Sequence, residues 1–157
     1  MPINHAAIVV SRRDDIDTLP APINPAWILS GEPEARAVTL SQSPDKDAVT
    51  VLWECTAGVF RWRFDSDETV HVVEGGVTIH WNGERHTLGA GDTCYFPAGS
   101  VATWIVHSRI RKIAFIRVPP PRPVNLALRA WRALLRQFRS AARPAGAGAL
   151  NPQAQTG

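Results

Sequence analysis

Asp67-Glu68-Thr69-Val70-His71-Val72-Val73-Glu74-Gly75-Gly76 is the stretch on which the reading of the chain turns. It passes from a turn, through an acidic residue, into a run of β-branched residues and out through paired glycines. β-Branched side chains favour a pleated strand, and glycine is turn chemistry. A complementary stretch follows, Gly89-Ala90-Gly91-Asp92-Thr93-Cys94-Tyr95-Phe96-Pro97-Ala98-Gly99. Here a short strand, Thr93–Phe96, lies between two turns.

The same rhythm extends outward in both directions. Ala48–Thr56 reads as a strand ended by Ala57-Gly58. Val59–Phe64 alternates, with Phe60, Trp62 and Phe64 on one face and Arg61 and Arg63 on the other. Glu68–Val73 is a strand closed by Gly75-Gly76. Val77–Trp81 and Glu84–Leu88 flank Asn82-Gly83, the strongest short hairpin signal. Val101–His107 and Lys112–Val118 complete the set. Short strands with turns every ~8–12 residues and no helical period predict an all-β sandwich or barrel. A jelly roll fits one core of this size.

The flanks differ. Residues 1–26 form an extended lead-in with Pro20, Pro22 and Pro25, with a short edge strand expected at Ala6–Val10. The β domain is expected over 27–118. Residues 119–123 are a Pro-rich linker. Residues 124–143 are amphipathic on a 3.6 period, with Trp131 on the apolar stripe and Arg129, Arg132, Arg136 and Arg139 mostly opposite. The composition of residues 144–157 predicts disorder.

Composition bounds the function. The 157 residues leave room for one domain, with ordinary apolar and charged fractions of 45% and 20%. The net charge of +3 conceals an asymmetry. All the acidic residues precede residue 121, whereas residues 121–157 carry arginines and no acid. The basic pI is thus a property of the tail, and nucleic-acid binding by the main domain is not expected. Cys55 and Cys94 are too few for a disulfide framework and read as buried free thiols. Met1–Val10 lacks the basic region of a secretory signal and no window reaches membrane-spanning length, which predicts a cytoplasmic location.

The glutamate-to-glycine spacing of Glu68 and Gly75, and Gly91-Asp92 leading to Phe96-Pro97-Ala98-Gly99, resemble the two motifs of the cupins. Trp53-Glu54, Gly58, Phe60-Arg61-Trp62, Asp67-Glu68, Trp104 and Arg111-Lys112 narrow the resemblance. They are similar to the small RmlC-like cupins that include ureidoglycine aminohydrolase and the ethanolamine-utilisation, EutQ-like proteins. The resemblance covers about residues 27–117. It implies a jelly-roll barrel and a homodimer paired through edge strands.

Metal-binding members of that family carry three histidines and one glutamate. A four-residue spacer before Glu68 lands the first two histidine positions on Arg61 and Arg63, and a three-residue spacer on Trp62 and Phe64. The third position is Ala102. Glu68 alone remains, and one carboxylate does not make a transition-metal site. Strand parity turns His71 away from Glu68, and sets His80 and His107 out of phase with their apolar neighbours. His86 and His5 have no visible partner.

The candidate site is therefore Glu68 as acid or base, with Arg61, Trp62, Arg63, Tyr95 and Trp104 as ligand-binding residues. If the arginines face inward, the pocket suits a small anionic or amide-bearing ligand. If the tryptophans do, Glu68 lies in an aromatic cage suited to a cationic amine. Otherwise Trp62 and Trp104 fill the core and Glu68 pairs with Arg61, Arg63 or Lys112. Two functions follow. One is a cofactor-free accessory or sensor-like module binding a nitrogenous or anionic metabolite. The other is an aminohydrolase-like enzyme using Glu68 as acid/base or as ligand to one divalent transition metal. The C-terminal helix adds an anionic membrane surface, a partner protein or its own barrel as docking options.

Overall fold

In the computed structural model the chain divides into two compact units, residues 1–119 and 120–157. The structure describes residues 8–12, 15–118 and Trp131. Apart from Trp131, which is helical and exposed, the expected helix over 124–143, with Arg129, Arg132, Arg136 and Arg139, and the expected tail over 144–157 lie outside the described residues. So do Ala6 and Ala7 of the expected first strand, and Ile8–Val10 form no strand.

The first unit is an all-β jelly roll. Its strands are β1 (Leu19–Pro20), β2 (Ile28–Ser30), β3 (Ala35–Gln42), β4 (Ala48–Arg63), β5 (Asp67–Trp81), β6 (Glu84–Gly89), β7 (Thr93–Phe96) and β8 (Val101–Arg117). A 3-10 turn, Pro25–Trp27, precedes β2. Part of the lead-in belongs to the domain, because β1 pairs with β3 and Ile23 is buried in the core.

Three pairs of expected strands are each one long strand. β4 runs through Ala57-Gly58, β5 through Gly75-Gly76, and β8 through residues 108–111. The glycines mark irregularities, not chain reversals. A Cβ on Gly58 would lie 2.7 Å from Pro33, so glycine there admits a close neighbour. Gly75 has φ of 72°, and a Cβ would lie 2.0 Å from the Arg109 carbonyl oxygen. By contrast, Asn82 and Gly83 both have positive φ and join β5 to β6 tightly, as their sequence predicts.

The register breaks against β8 fall at one level: Thr56/Gly58 in β4, and Val72/Glu74 and Gly75/Thr78 in β5. They divide the pairing into two halves. The first sheet joins β1, β3, the N-terminal half of β4, the C-terminal half of β8, the N-terminal half of β5, and β7. The second joins β2, the remaining halves of β4, β8 and β5, and β6. Their inner faces meet across an aromatic core. Trp53 of the first sheet lies 6.3 Å from Phe60 and 6.1 Å from Trp104 of the second. Such edge-on contacts match the ring quadrupoles.

Candidate functional site

Alternation along the strands decides which candidates meet. On β4, Phe60 is buried and Trp62 is partly buried against the core, while Arg61 and Arg63 are exposed. Trp62 packs 5.7 Å from Trp27 and 5.8 Å from Trp53. Arg63 reaches Asp65 at 3.2 Å on the surface. Arg61 and Arg63 thus stand on the outer face, away from Glu68, a correction to their expected place in the pocket. The cause is the phase of β4, in which the bulky aromatics take the inner positions.

This phase selects between the two spacers before Glu68. The positions corresponding to the family's histidines are Trp62, Phe64 and Ala102, and Trp62 pairs directly with Ala102 across β4 and β8. Phe64 stacks on Phe96 at 4.1 Å with an interplanar angle of 6°. An indole, a phenyl ring and a methyl group supply no donor, so these residues do not fit the divalent metal that the resemblance implies. Among the described residues no group of three or more His, Cys, Asp or Glu could hold a metal ion.

Glu68 is 9% exposed and faces the interior from β5. It has a partner. The inner positions of the second half of β8 are Ile110, Lys112 and Ala114, so parity drives the Lys112 ammonium into the core. Lys112 is 5% exposed, and its Nζ donates to Glu68 Oε1 at 2.6 Å. The two are not cross-strand neighbours: Lys112 lies opposite Val72, and Glu68 opposite Ile116. Their side chains reach each other along the strand direction. The ammonium also lies 5.1 Å from the Trp53 ring centroid and 5.3 Å from that of Trp104. The aromatic cage that would suit a cationic amine therefore already holds one, supplied by the chain itself.

Little space remains at this centre. The cavity bounded by Trp53, Phe60, Trp62, Trp104 and Lys112 measures about 10 Å³, enough for at most one water. Trp104 lines it, and its Nε1 is the one buried side-chain polar atom without a partner among the described residues. An orphaned donor of this kind costs about 1–3 kcal/mol unless a water accepts from it.

A larger opening lies beside the filled centre. A cavity of about 400 Å³ opens between the β5–β6 hairpin and β7. Ile79, Trp81, Leu88 and Phe96 form its apolar wall. Glu84 and His86, an exposed pair 3.2 Å apart, supply polar groups. The half-buried thiol of Cys94 also lines it, and burial raises its pKa, so it stands as a neutral thiol. Tyr95 lines the same cavity, apart from Trp62 and Trp104. Its phenol is pushed up, first by desolvation, then by the hydrogen bond and charge of Asp67. Strand alternation could have identified this inner face, because residues 79, 81, 86 and 88 share it.

Of the remaining histidines, His107 takes a structural role. His107 Nε2 lies 3.1 Å from Thr78 Oγ1, which in turn lies 3.3 Å from Thr87 Oγ1. His71 and His80 lie outside both cavities.

Residues 42–114 match the family model of the EutQ-like cupin domain. Among solved structures, the chain is similar to a protein of unknown function from Pseudomonas syringae pv. tomato, with 22% identity and a TM-score of 0.60. That match covers 65% of this chain and 45% of the other. A predicted oxalate decarboxylase from Thermotoga maritima matches with 15% identity and a TM-score of 0.56, over 72% and 100% of the two chains. KdgF from Halomonas sp. matches with 15% identity and a TM-score of 0.53, over 73% and 96%. At these identities the likeness shows the fold. The chain spans less than half the length of the Pseudomonas protein. A comparison with curated proteins finds no match.

Proposed function

We propose, from the premise that residues 42–114 form an EutQ-like cupin domain, that this protein is a metal-independent small-molecule binding module. One observation carries the reading. The three histidine positions hold Trp62, Phe64 and Ala102, and the remaining carboxylate, Glu68, accepts from a buried ammonium at 2.6 Å. An aminohydrolase-like role would need Glu68 released from Lys112 before it could take a proton or a metal. Removing either partner of such a pair costs about 3–5 kcal/mol.

The ligand then occupies the open cavity, not the barrel centre. Its volume of about 400 Å³ suits a small metabolite. The apolar wall of Trp81, Leu88 and Phe96 takes the body of the molecule. The Glu84–His86 pair receives a nitrogenous or anionic end. Arg61 and Arg63 take no part, and Tyr95, 58% exposed and opposite in phase to Cys94 and Phe96, only borders the cavity. A homodimer through sheet edges and a cytoplasmic location complete the proposal. Among the described residues no helix is long and apolar enough to cross a membrane.

Two measurements test it. Anilinonaphthalene sulfonate should bind the native protein saturably at one site, and Leu88→Trp, which fills the cavity, should abolish the fluorescence gain without lowering the melting temperature. Gain that persists in Leu88→Trp would rule out this cavity. Metal analysis of the purified protein should find far less than one equivalent of manganese, iron, nickel or zinc. A full equivalent would overturn the metal-independent reading.

A further inference from the structure

The outer faces of the two sheets treat charge differently. On the first, Arg36, Glu54, Arg111 and Glu74 follow one another across β3, β4, β8 and β5, so the signs alternate. Glu54 lies within 4 Å of three guanidiniums: Arg36 at 3.9 Å, Arg109 at 3.5 Å and Arg111 at 3.9 Å. This face neutralises itself.

The second face does not. Arg61 pairs with Thr103, Thr103 with His80, and His80 with Arg85. These four form one row across β4, β8, β5 and β6. At ~4.8 Å between strands, the row places Arg61 and Arg85 about 14 Å apart at Cα. The adjacent row is Val59, Ile105, Thr78 and Thr87. Arg63 and Val101 pair beyond the first row, and His107 lies beyond the second. None of these positions is acidic. Arg61 and Arg85 enter no salt bridge among the described residues; of the arginines here only Arg63 does, with Asp65 at the edge of the face. Exposed apolar groups border the cations, Leu29 at 53% and Val101 at 43% exposure.

We propose that the outer face of the second sheet, centred on Arg61, His80 and Arg85, docks on an anionic lipid surface. A pleated sheet offers no groove for a peptide or a helix, and this face carries no aromatic platform for bases. It presents two unpaired guanidiniums, with Arg63 at its edge, set among small and apolar side chains, and its complement is a plane of negative charge that requires no register. Phosphate headgroups of a bilayer provide that plane, and guanidiniums bind phosphate well. The sequence beyond residue 120 adds further arginines with no acid, so both acid-free regions of the chain act on the same sign of charge. Arg61 and Arg63, left idle by the barrel interior, have a role here.

The test is co-sedimentation of the full chain with vesicles of phosphatidylcholine alone or mixed with phosphatidylglycerol. Because every variant keeps residues 119–157, any contribution of the tail is constant. Binding should require phosphatidylglycerol and fall with salt. Arg61→Ala/Arg85→Ala should weaken it about fivefold per arginine, about 25-fold together. Lys46→Ala/Arg117→Ala removes the same charge elsewhere and should weaken it by less than about fivefold. Arg61→Lys/Arg85→Lys should bind within about twofold of the parent, separating charge from folding. Equal losses in the two alanine pairs would mean attraction by net charge, and would overturn the assignment of the face. Equal binding to pure phosphatidylcholine would overturn it as well, and so would no vesicle binding. Capture by polyglutamate or RNA with no vesicle binding would assign the face to an acidic macromolecule instead.

Discussion

Lys112 and Glu68 allow a decisive double-mutant cycle. Both side chains are nearly out of solvent, at 5% and 9% exposure, and 2.6 Å apart. Lys112→Met alone leaves a buried carboxylate facing a thioether. Glu68→Leu alone leaves an ammonium between two indoles with no counter-ion. Each should cost about 3–5 kcal/mol. For a unit of this size that lowers the melting temperature by roughly 12–20 °C, at about 4 °C per kcal/mol. Glu68→Leu should fall toward the lower end, because the Trp53 and Trp104 rings still stabilise the cation by about 0.5–2 kcal/mol. The double variant Glu68→Leu/Lys112→Met removes both desolvation penalties and should melt within about 2 kcal/mol of the parent. The coupling energy therefore exceeds that of an exposed ion pair several-fold. Thermal and urea unfolding of the four proteins measure it. Additive losses, or a Glu68→Gln variant that melts with the parent, would show that the pair does not hold the barrel centre.

Other outcomes follow from single contacts. Gly75→Ala should cost about 3 kcal/mol or more, because φ of 72° and a Cβ 2.0 Å from a carbonyl oxygen leave no relaxed placement; urea unfolding or loss of soluble expression reads it. Burial pushes the Cys55 thiol up to about 12, so iodoacetamide should leave it unmodified in the native protein at mildly alkaline pH and label it after unfolding. A folded-state pKa above the unfolded value of about 8.5 means that the native state holds the proton longer. Its contribution is complete below that pH and is lost as pH rises toward 12, by up to about 1.4 kcal/mol per pH unit. Cys55→Ala should remove that slope from melting curves recorded at alkaline pH. Arg63→Ala should change stability by no more than about 0.5 kcal/mol, because its partner Asp65 is 82% exposed; a large loss would place Arg63 in the core.

Much of the barrel was legible in local chemistry. Period-2 alternation marked Phe60, Trp62 and Phe64 as one face. Asn82-Gly83 marked the hairpin, and the spacing of Glu68 and Gly75 matched a cupin motif. What misled was the glycine punctuation. Gly58 and Gly75 read locally as strand ends, because glycine serves turns and bulges alike. Only the neighbours that approach them, Pro33 and the Arg109 carbonyl, distinguish the two uses. The open cavity was missed for a related reason. Its wall combines β5, β6 and β7, and no single strand shows a concavity.

By itself the sequence determined that strands form, which side chains share a face, and that no histidine stands at the family's metal-ligand positions. These properties depend on side chains a few residues apart, which share a local geometry. The tertiary structure decided the site. It chose Trp62 over Arg61 at the barrel centre, because the turn after β4 sets which spacer counts. It also brought Lys112 to Glu68 across 44 positions of sequence. A buried carboxylate takes its character from the charge that desolvation forces beside it, and that neighbour is specified by folding, not by spacing. Glu68, which the sequence presents as a remnant of chemistry, is in the fold one half of an ion pair inside an aromatic cage.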